Sequence, residues 1–339
     1  MSGDYLWDHS GPRDPEIVRL EKELGVFAQA DPPPAFGRLA PPTSRLQILV
    51  WATGMAAAVI ALVGFVAQTQ NPIGPGLQVT RIDGTPIVGS KPVADTGELA
   101  IGRWLETDAS ARARIDMEIG QVEVDPSTRV GLLSTKPGDH RLHLASGTMH
   151  AFIWAPPGQF AVETASSTAI DLGCAYTLTM NDEGVGRVAV TSGWVGFEWQ
   201  GRESFIPAGA VCITRPGLGP GTPHYDDVSA EFRAAIETID LNVGPAAHRA
   251  EALSRALALA REKDALTLWH LLSRVEASQR DRVFDRLKEF VPPPGSVTRE
   301  GISKGRRDML DDWWDALGLG TASWWRTWKQ AWREDKSRR

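Results

Sequence analysis

Few residues of this chain are of the types that do covalent chemistry, and their spacing suits it poorly. The 339 residues include two cysteines, Cys174 and Cys212, which excludes a cysteine-dense scaffold and a zinc-ribbon array. His140, His143 and His150 lie close in sequence. On a strand, residues i and i+3 face opposite sides, so His140 and His143 do not converge on a metal. His9 is the only histidine of the first 45 residues, which hold no cysteine, and this excludes a His/Cys zinc module there. There is no G-x-S-x-G elbow, no Walker loop and no H-E-x-x-H. The GLGPG turn from Gly217 lacks the strand-to-helix context of a dinucleotide site. Asp311, Asp312 and Asp315 share one side of a helix and read as a solvated face. These residues point to a protein that binds rather than catalyses, with no metal and no cofactor.

The residues that could bind are apolar and sit at the two ends. Near the N-terminus Asp14-Pro15-Glu16 is a helix start, with Asp as N-cap and Pro at the first helical position, and Gly25 is a stop. Ile17, Leu20 and Leu24 make one apolar stripe between them. So short a helix is marginal alone. Its stripe needs a partner, either another chain or the upstream Tyr5, Leu6 and Trp7, and the expected role of these six residues is partner binding. At the other end Trp324, Trp325, Trp328 and Trp332 share one helical face, with Arg326, Lys329 and Arg333 on the rest. Residues 324–339 carry six basic and two acidic side chains, a net of +4. Tryptophan with a basic face suits a membrane interface. The alternative is a Trp face packed on neighbouring helices.

The elements that must position these ends are unequal. Residues 46–66 read LQILVWATGMAAAVIALVGFV, with no charge and no proline. At 1.5 Å per residue a helix of this length spans about 30 Å, so the run is expected to be a transmembrane helix. Arg38 and Arg45 precede it and Arg81 follows, which places the N-terminus in the cytoplasm by the positive-inside rule. Pro32, Pro33, Pro34, Pro41 and Pro42 form a semi-rigid linker before it. Overall, 36 basic and 42 acidic residues give a charge of -6, unlike a protein built to coat nucleic acid.

From about Leu99 the period becomes two. Residues 111–119, ARARIDMEI, alternate strictly, as a half-buried strand does. Short strands follow to about Thr214, punctuated by Gly and Pro. Gly120, Gly147 and Gly193 each close one strand and open another, which suggests stacked hairpins or solenoid-like rungs. Helical periodicity then covers 228–241, 246–262, 264–275 and 279–290. After three prolines from Pro292 it resumes over 299–317.

Residues 160–178, FAVETASSTAIDLGCAYTL, resemble the core signature of the FecR domain. The pieces Val188–Val195, VAVTSGWV, and Ile206–Gly209, IPAG, match its following strand pair and turn. The resemblance covers roughly residues 95–225. It departs from the pattern at Ser167, where Ala is usual, and at Gly173-Cys174-Ala175-Tyr176, where G-T-x-F is usual. It implies a single-pass regulator of the bacterial inner membrane. A cytoplasmic N-terminal segment would engage an extracytoplasmic-function sigma factor, and a periplasmic β domain would receive a signal. In such a compartment Cys174 and Cys212 are expected to form a disulfide; the alternative is two buried free thiols.

The expected fold class is therefore mixed. A docking helix and linker (1–45) lead to a transmembrane helix (46–66) and a second linker (67–94). A FecR-like all-β periplasmic domain of stacked, solenoid-like hairpins (95–225) follows, then an α-helical domain (226–318) and a Trp-rich basic helix (319–339). The expected function is an anti-sigma-type regulator passing an envelope signal inward. The alternative is an envelope scaffold whose β domain binds glycan or another envelope protein, and neither reading involves direct nucleic-acid contact.

Overall fold

The computed structural model describes residues 76–320, together with Arg19, which is helical and exposed. Residues 76–320 belong to one compact unit. Among the described residues, eighteen strands make one continuous hydrogen-bonded network, followed by six α-helices.

The first group of strands is β1 (Leu77–Asp83), β2 (Ile87–Val88), β3 (Lys91–Pro92), β4 (Thr96–Leu99), β5 (Trp104–Glu106), β6 (Arg112–Met117), β7 (Gly120–Val124) and β8 (Arg129–Lys136). A long β9 (Asp139–Ile153) follows. After it come β10 (Phe160–Glu163), β11 (Thr168–Asp171), β12 (Ala175–Met180), β13 (Gly186–Ser192), β14 (Trp194–Trp199), β15 (Arg202–Pro207) and β16 (Ala210–Arg215), and the short β17 (Gly219–Pro220) and β18 (His224–Tyr225).

Their pairings define two layers. One runs β4-β1-β6-β7-β9-β12-β13-β16, with β17 and β18 on its last edge. The other runs β3-β2-β5-β8-β9-β10-β11-β14-β15. β9 belongs to both: residues up to Ser146 pair with β8, and Gly147 onward pair with β12. Gly147 sits at the changeover with φ 94°, and a Cβ there would lie 2.2 Å from Thr128 Oγ1. The alternating side chains of the two layers meet in one core. Val79, Ile115, Val122 and Leu178 come from the first layer, and Leu132, Leu142, Phe160 and Phe197 from the second.

This corrects the expected fold class. The β part is not a stack of hairpins. The chain crosses repeatedly between layers, β9 and β10 are parallel, and the network stays open at its edges. Gly147 lies inside a strand, and Gly193 joins strands of different layers, because a positive φ serves a bend or a crossing as well as a hairpin. Strands begin at Leu77, inside the stretch expected as a linker; Leu77 and Val79 are buried, with Gln78 exposed between them. No helix among the described residues is long and apolar enough to cross a membrane, and residues 46–66 lie outside them.

The helices are α1 (Ala230–Leu241), α2 (Ala246–Leu259), α3 (Ala265–Leu272), α4 (Ala277–Phe290), α5 (Arg299–Ser303) and α6 (Arg307–Ala316). Ser229 caps α1 by accepting from Phe232 N, and Asn242 ends it in the left-handed region. The expected continuous helix over 299–317 is broken at Gly305, φ 71°.

These helices share the core of the strands. All eight residues of α3 are buried. His270 Nε2 accepts from Phe205 N at 3.0 Å, and Arg274 donates to Glu203 O and Pro220 O. The helices thus supply partners to the edge strand β15, which an uncovered edge would leave to another chain.

Candidate functional site

The sequence placed its partner-binding residues Tyr5, Leu6, Trp7, Ile17, Leu20 and Leu24 outside the described residues. Trp324, Trp325, Arg326, Trp328, Lys329, Trp332 and Arg333 lie outside them as well. Among the described residues no group of three His, Cys, Asp or Glu side chains could hold a metal. The three histidines are spread over the two layers. His140 bonds Thr135 Oγ1, His143 packs edge-on to Trp104, and His150 links Asp125 and Thr177.

Cys174 and Cys212 are both buried free thiols, which corrects the expected disulfide. The register gives the reason. Cys212 is opposite Val188, and Val188 is opposite Leu178, so Cys212 stands two strands over from Leu178. Cys174 is four residues before Leu178. Two strand spacings of about 4.8 Å and four rises of about 3.3 Å separate the thiols far beyond a bridge's reach of about 7 Å between Cα atoms. Cys174 instead donates to Asp171 Oδ2 at 2.7 Å, and Cys212 to Gly221 O at 3.3 Å.

Asp171 is opposite Val195, on the inner face of the second layer, and is 1 % exposed. Burial pushes its carboxyl up to about 7, against bonds from Cys174 Sγ and Gly173 N. Burial and the nearby Asp171 push the Cys174 thiol upward too, so it stays protonated and is no nucleophile. The Tyr176 hydroxyl is buried beside them with no hydrogen-bond partner among the described residues.

The sequence pieces 160–178, 188–195 and 206–209 meet at this place. Gly173 closes the crossing from β11 to β12, Gly193 that from β13 to β14, and Gly209 the β15–β16 turn, all with positive φ. A Cβ at Gly193 would lie 2.1 Å from Gly173 O. Gly193 O accepts from Ala208 N at 3.0 Å, and Gly209 N donates to Val190 O at 2.8 Å. These glycines are the joints at which the chain changes layer.

A surface groove of about 420 Å³ lies between β15, α3 and α6 and was not legible in the sequence. The β14–β15 register explains its wall. Val195 and Ile206 pair inward, as do Phe197 and Ser204, so Gly196 with Phe205 and Glu198 with Glu203 face out. Phe205, Trp269 and Trp314 pack as one aromatic floor, with ring centroids 4.7 to 6.2 Å apart, and Trp194 joins Trp314 at 5.9 Å. Trp269 Nε1 donates to Leu310 O at 2.8 Å, fixing α6 against α3. Arg274 is held by backbone oxygens and Ser204; burial, then the nearby Arg202, lowers its guanidinium to about 10. Arg202 is paired with Asp240 at 3.0 Å. Glu203 and Asp311 line the groove, and Glu198 stands directly across the strand pair from Glu203.

No family model matches the chain, and no curated protein matches it. Two crystal structures, at 2.50 and 1.65 Å resolution, each of a "putative anti-sigma factor" from Parabacteroides distasonis, are similar to part of it at 14% identity and a TM-score of 0.33. The first covers 39% of this chain and 62% of its own, the second 46% and 74%. This chain thus spans less than two thirds of the first of them.

Proposed function

We propose that the chain is a regulator that binds a sigma factor through residues 1–45, with the sandwich and its helices as a binding module that sets the availability of that segment. The observation that carries the reading is the meeting of the three FecR-like pieces at the Gly173–Gly193–Gly209 joint. There the resemblance coincides with the positions the fold depends on, rather than with scattered surface residues. The apolar stripe of Ile17, Leu20 and Leu24 supplies the docking segment. A partner of the extracytoplasmic-function type is the finer part of the proposal, and the module acts by binding rather than by catalysis.

The test is co-purification from cells expressing the full chain. A sigma factor should be recovered with the unaltered chain and lost, at least tenfold, with Leu20→Asp/Leu24→Asp. Recovery of the same sigma factor with both chains, or of none with the unaltered chain, overturns the proposal.

A further inference from the structure

Of the Trp, Tyr and Phe side chains among the described residues, only Phe152 and Trp154 are exposed, and they stand side by side. Phe152 is 52 % and Trp154 60 % exposed, with ring centroids 5.8 Å apart. Phe152 is on the outer face of the first layer, near the end of β9, and Trp154 follows that strand directly. Met149, Ala151 and Ile153, which alternate with them, are buried in the core. Trp154 N donates to Ile119 O at 3.0 Å and its Nε1 to Glu118 O at 3.2 Å. The indole is thus held in place while its face stays bare, as at a surface that meets a partner.

The register names the neighbours. Phe152 is opposite Gln121 on β7 and Ala175 on β12, and Ala175 is opposite Ser192 on β13. This row of amide, ring, methyl and hydroxyl crosses four strands, about 14 Å at the usual strand spacing. Ala175 makes a low floor beside the ring. The Gln121 amide and the Ser192 hydroxyl have no hydrogen-bond partner among the described residues. One row along, His150 bridges Asp125 Oδ2 at 2.8 Å and Thr177 Oγ1 at 2.9 Å. The charges beside the rings are paired with one another. Arg114 holds Asp116 at 2.8 Å, and Arg112 holds Asp125 at 3.1 Å with Glu123 at 3.9 Å.

These neighbours select the occupant. A nucleic acid or an anionic lipid surface needs open cations, and Arg112 and Arg114 are already neutralised by carboxylates. The apolar core of a protein interface needs an apolar surround, whereas these rings are flanked by an amide, hydroxyls and ion pairs. The complementary ligand is neutral, with flat C–H faces and a rim of hydroxyls. We propose that this face binds a neutral glycan. Sugar rings stack on Trp154 and Phe152 over Ala175, and their hydroxyls bond Gln121, Ser192 and Thr177. The negative π faces of the two aromatic rings attract the sugar C–H groups. The Gln121 amide both donates and accepts, as a sugar hydroxyl does. The inference does not rest on the sigma-factor reading, which concerns residues 1–45.

Isothermal titration of the full chain with chitohexaose and with cellohexaose, in a detergent without a sugar headgroup, tests it. At least one hexasaccharide should bind, and Trp154→Ala and Phe152→Ala should each weaken that binding at least tenfold. Trp154→Phe keeps a ring at the site and should retain most of it. Leu133→Ala, at an exposed position of β8 in the second layer, should change nothing. Binding of neither hexasaccharide overturns the proposal, as does binding that persists unchanged in Trp154→Ala/Phe152→Ala. Self-association of the chain that disappears in the double variant, with no sugar bound, overturns it in favour of a second copy. Phosphatidylglycerol vesicles bound in place of sugar, and released by the same variants, overturn it in favour of a membrane surface.

Discussion

At the scale of single residues, Asp171 is a carboxyl buried to 1 % exposure within the strands. Its carboxyl is buried opposite Val195, with a thiol and the backbone N–H groups of Gly173 and Cys174 as partners. Raised to about 7, it holds a proton in the folded chain that the unfolded chain has lost above about pH 4. Its contribution to stability is therefore fully present below about pH 4 and declines as pH rises to about 7, where it levels off. The decline is at most about 4 kcal/mol, the equivalent of a three-unit shift. Asp171→Asn removes the titration while keeping an acceptor for Gly173 N. Urea unfolding at pH 4.5 and pH 8 should show the variant gaining on the unaltered chain by roughly 2–4 kcal/mol between the two. An equal change in both chains would mean that Asp171 is solvated. Subtracting the two chains also cancels His270, whose imidazole burial and the neighbouring Arg274 lower to about 3, with a pH effect of opposite sign.

At the scale of elements, the decisive one is β9, because a single 15-residue strand serves both layers. It can do so only by bending at Gly147, where φ is 94° and Thr128 occupies the space of a side chain. Gly147→Val should cost roughly 2–5 kcal/mol, the sum of backbone strain and overpacking. Gly138→Ala, with φ 79° but nothing within 4 Å, should cost only about 1 kcal/mol. Similar urea midpoints for the two variants would remove the bend from the account. The same strand shows what the sequence could and could not reveal. The alternation in residues 111–119 reads directly as β6, since a half-buried strand writes its two faces into neighbouring residues. The periodicity after residue 228 likewise reads as helices. Layer membership is not local: Gly147 and Gly193 look like hairpin turns because glycine reports a positive φ and not where the chain goes next. The groove was illegible for the same reason, since Glu203, Trp269 and Asp311 meet only through β15, α3 and α6. The disulfide expectation failed on register, which two positions in a sequence do not carry.

At the scale of the molecule, the helices and the sandwich behave as one folding unit rather than as two domains on a string. β15 has a strand neighbour on one side only, and its other side is served by His270 and Arg274. Phe205, Trp194 and Trp314 pack across the same boundary. α1 adds to it through Asp240, which accepts from Thr222 N and Oγ1 and pairs with Arg202. Removing the helices would expose the aromatic floor and leave Phe205 N without its partner, a loss of about 1–3 kcal/mol for that one group before any apolar area is counted. It would also open an edge strand to pairing with another chain. A chain ending after Asp226 should therefore associate or fail to fold, as read by light scattering and near-ultraviolet circular dichroism. In the full chain, unfolding followed by tryptophan fluorescence, dominated across the boundary by Trp194, Trp269 and Trp314, should coincide with unfolding followed by the β signal in the far ultraviolet. Separate midpoints, or a soluble monomeric sandwich without helices, would show that the two parts stand alone. The groove would then lie between independent bodies instead of within one.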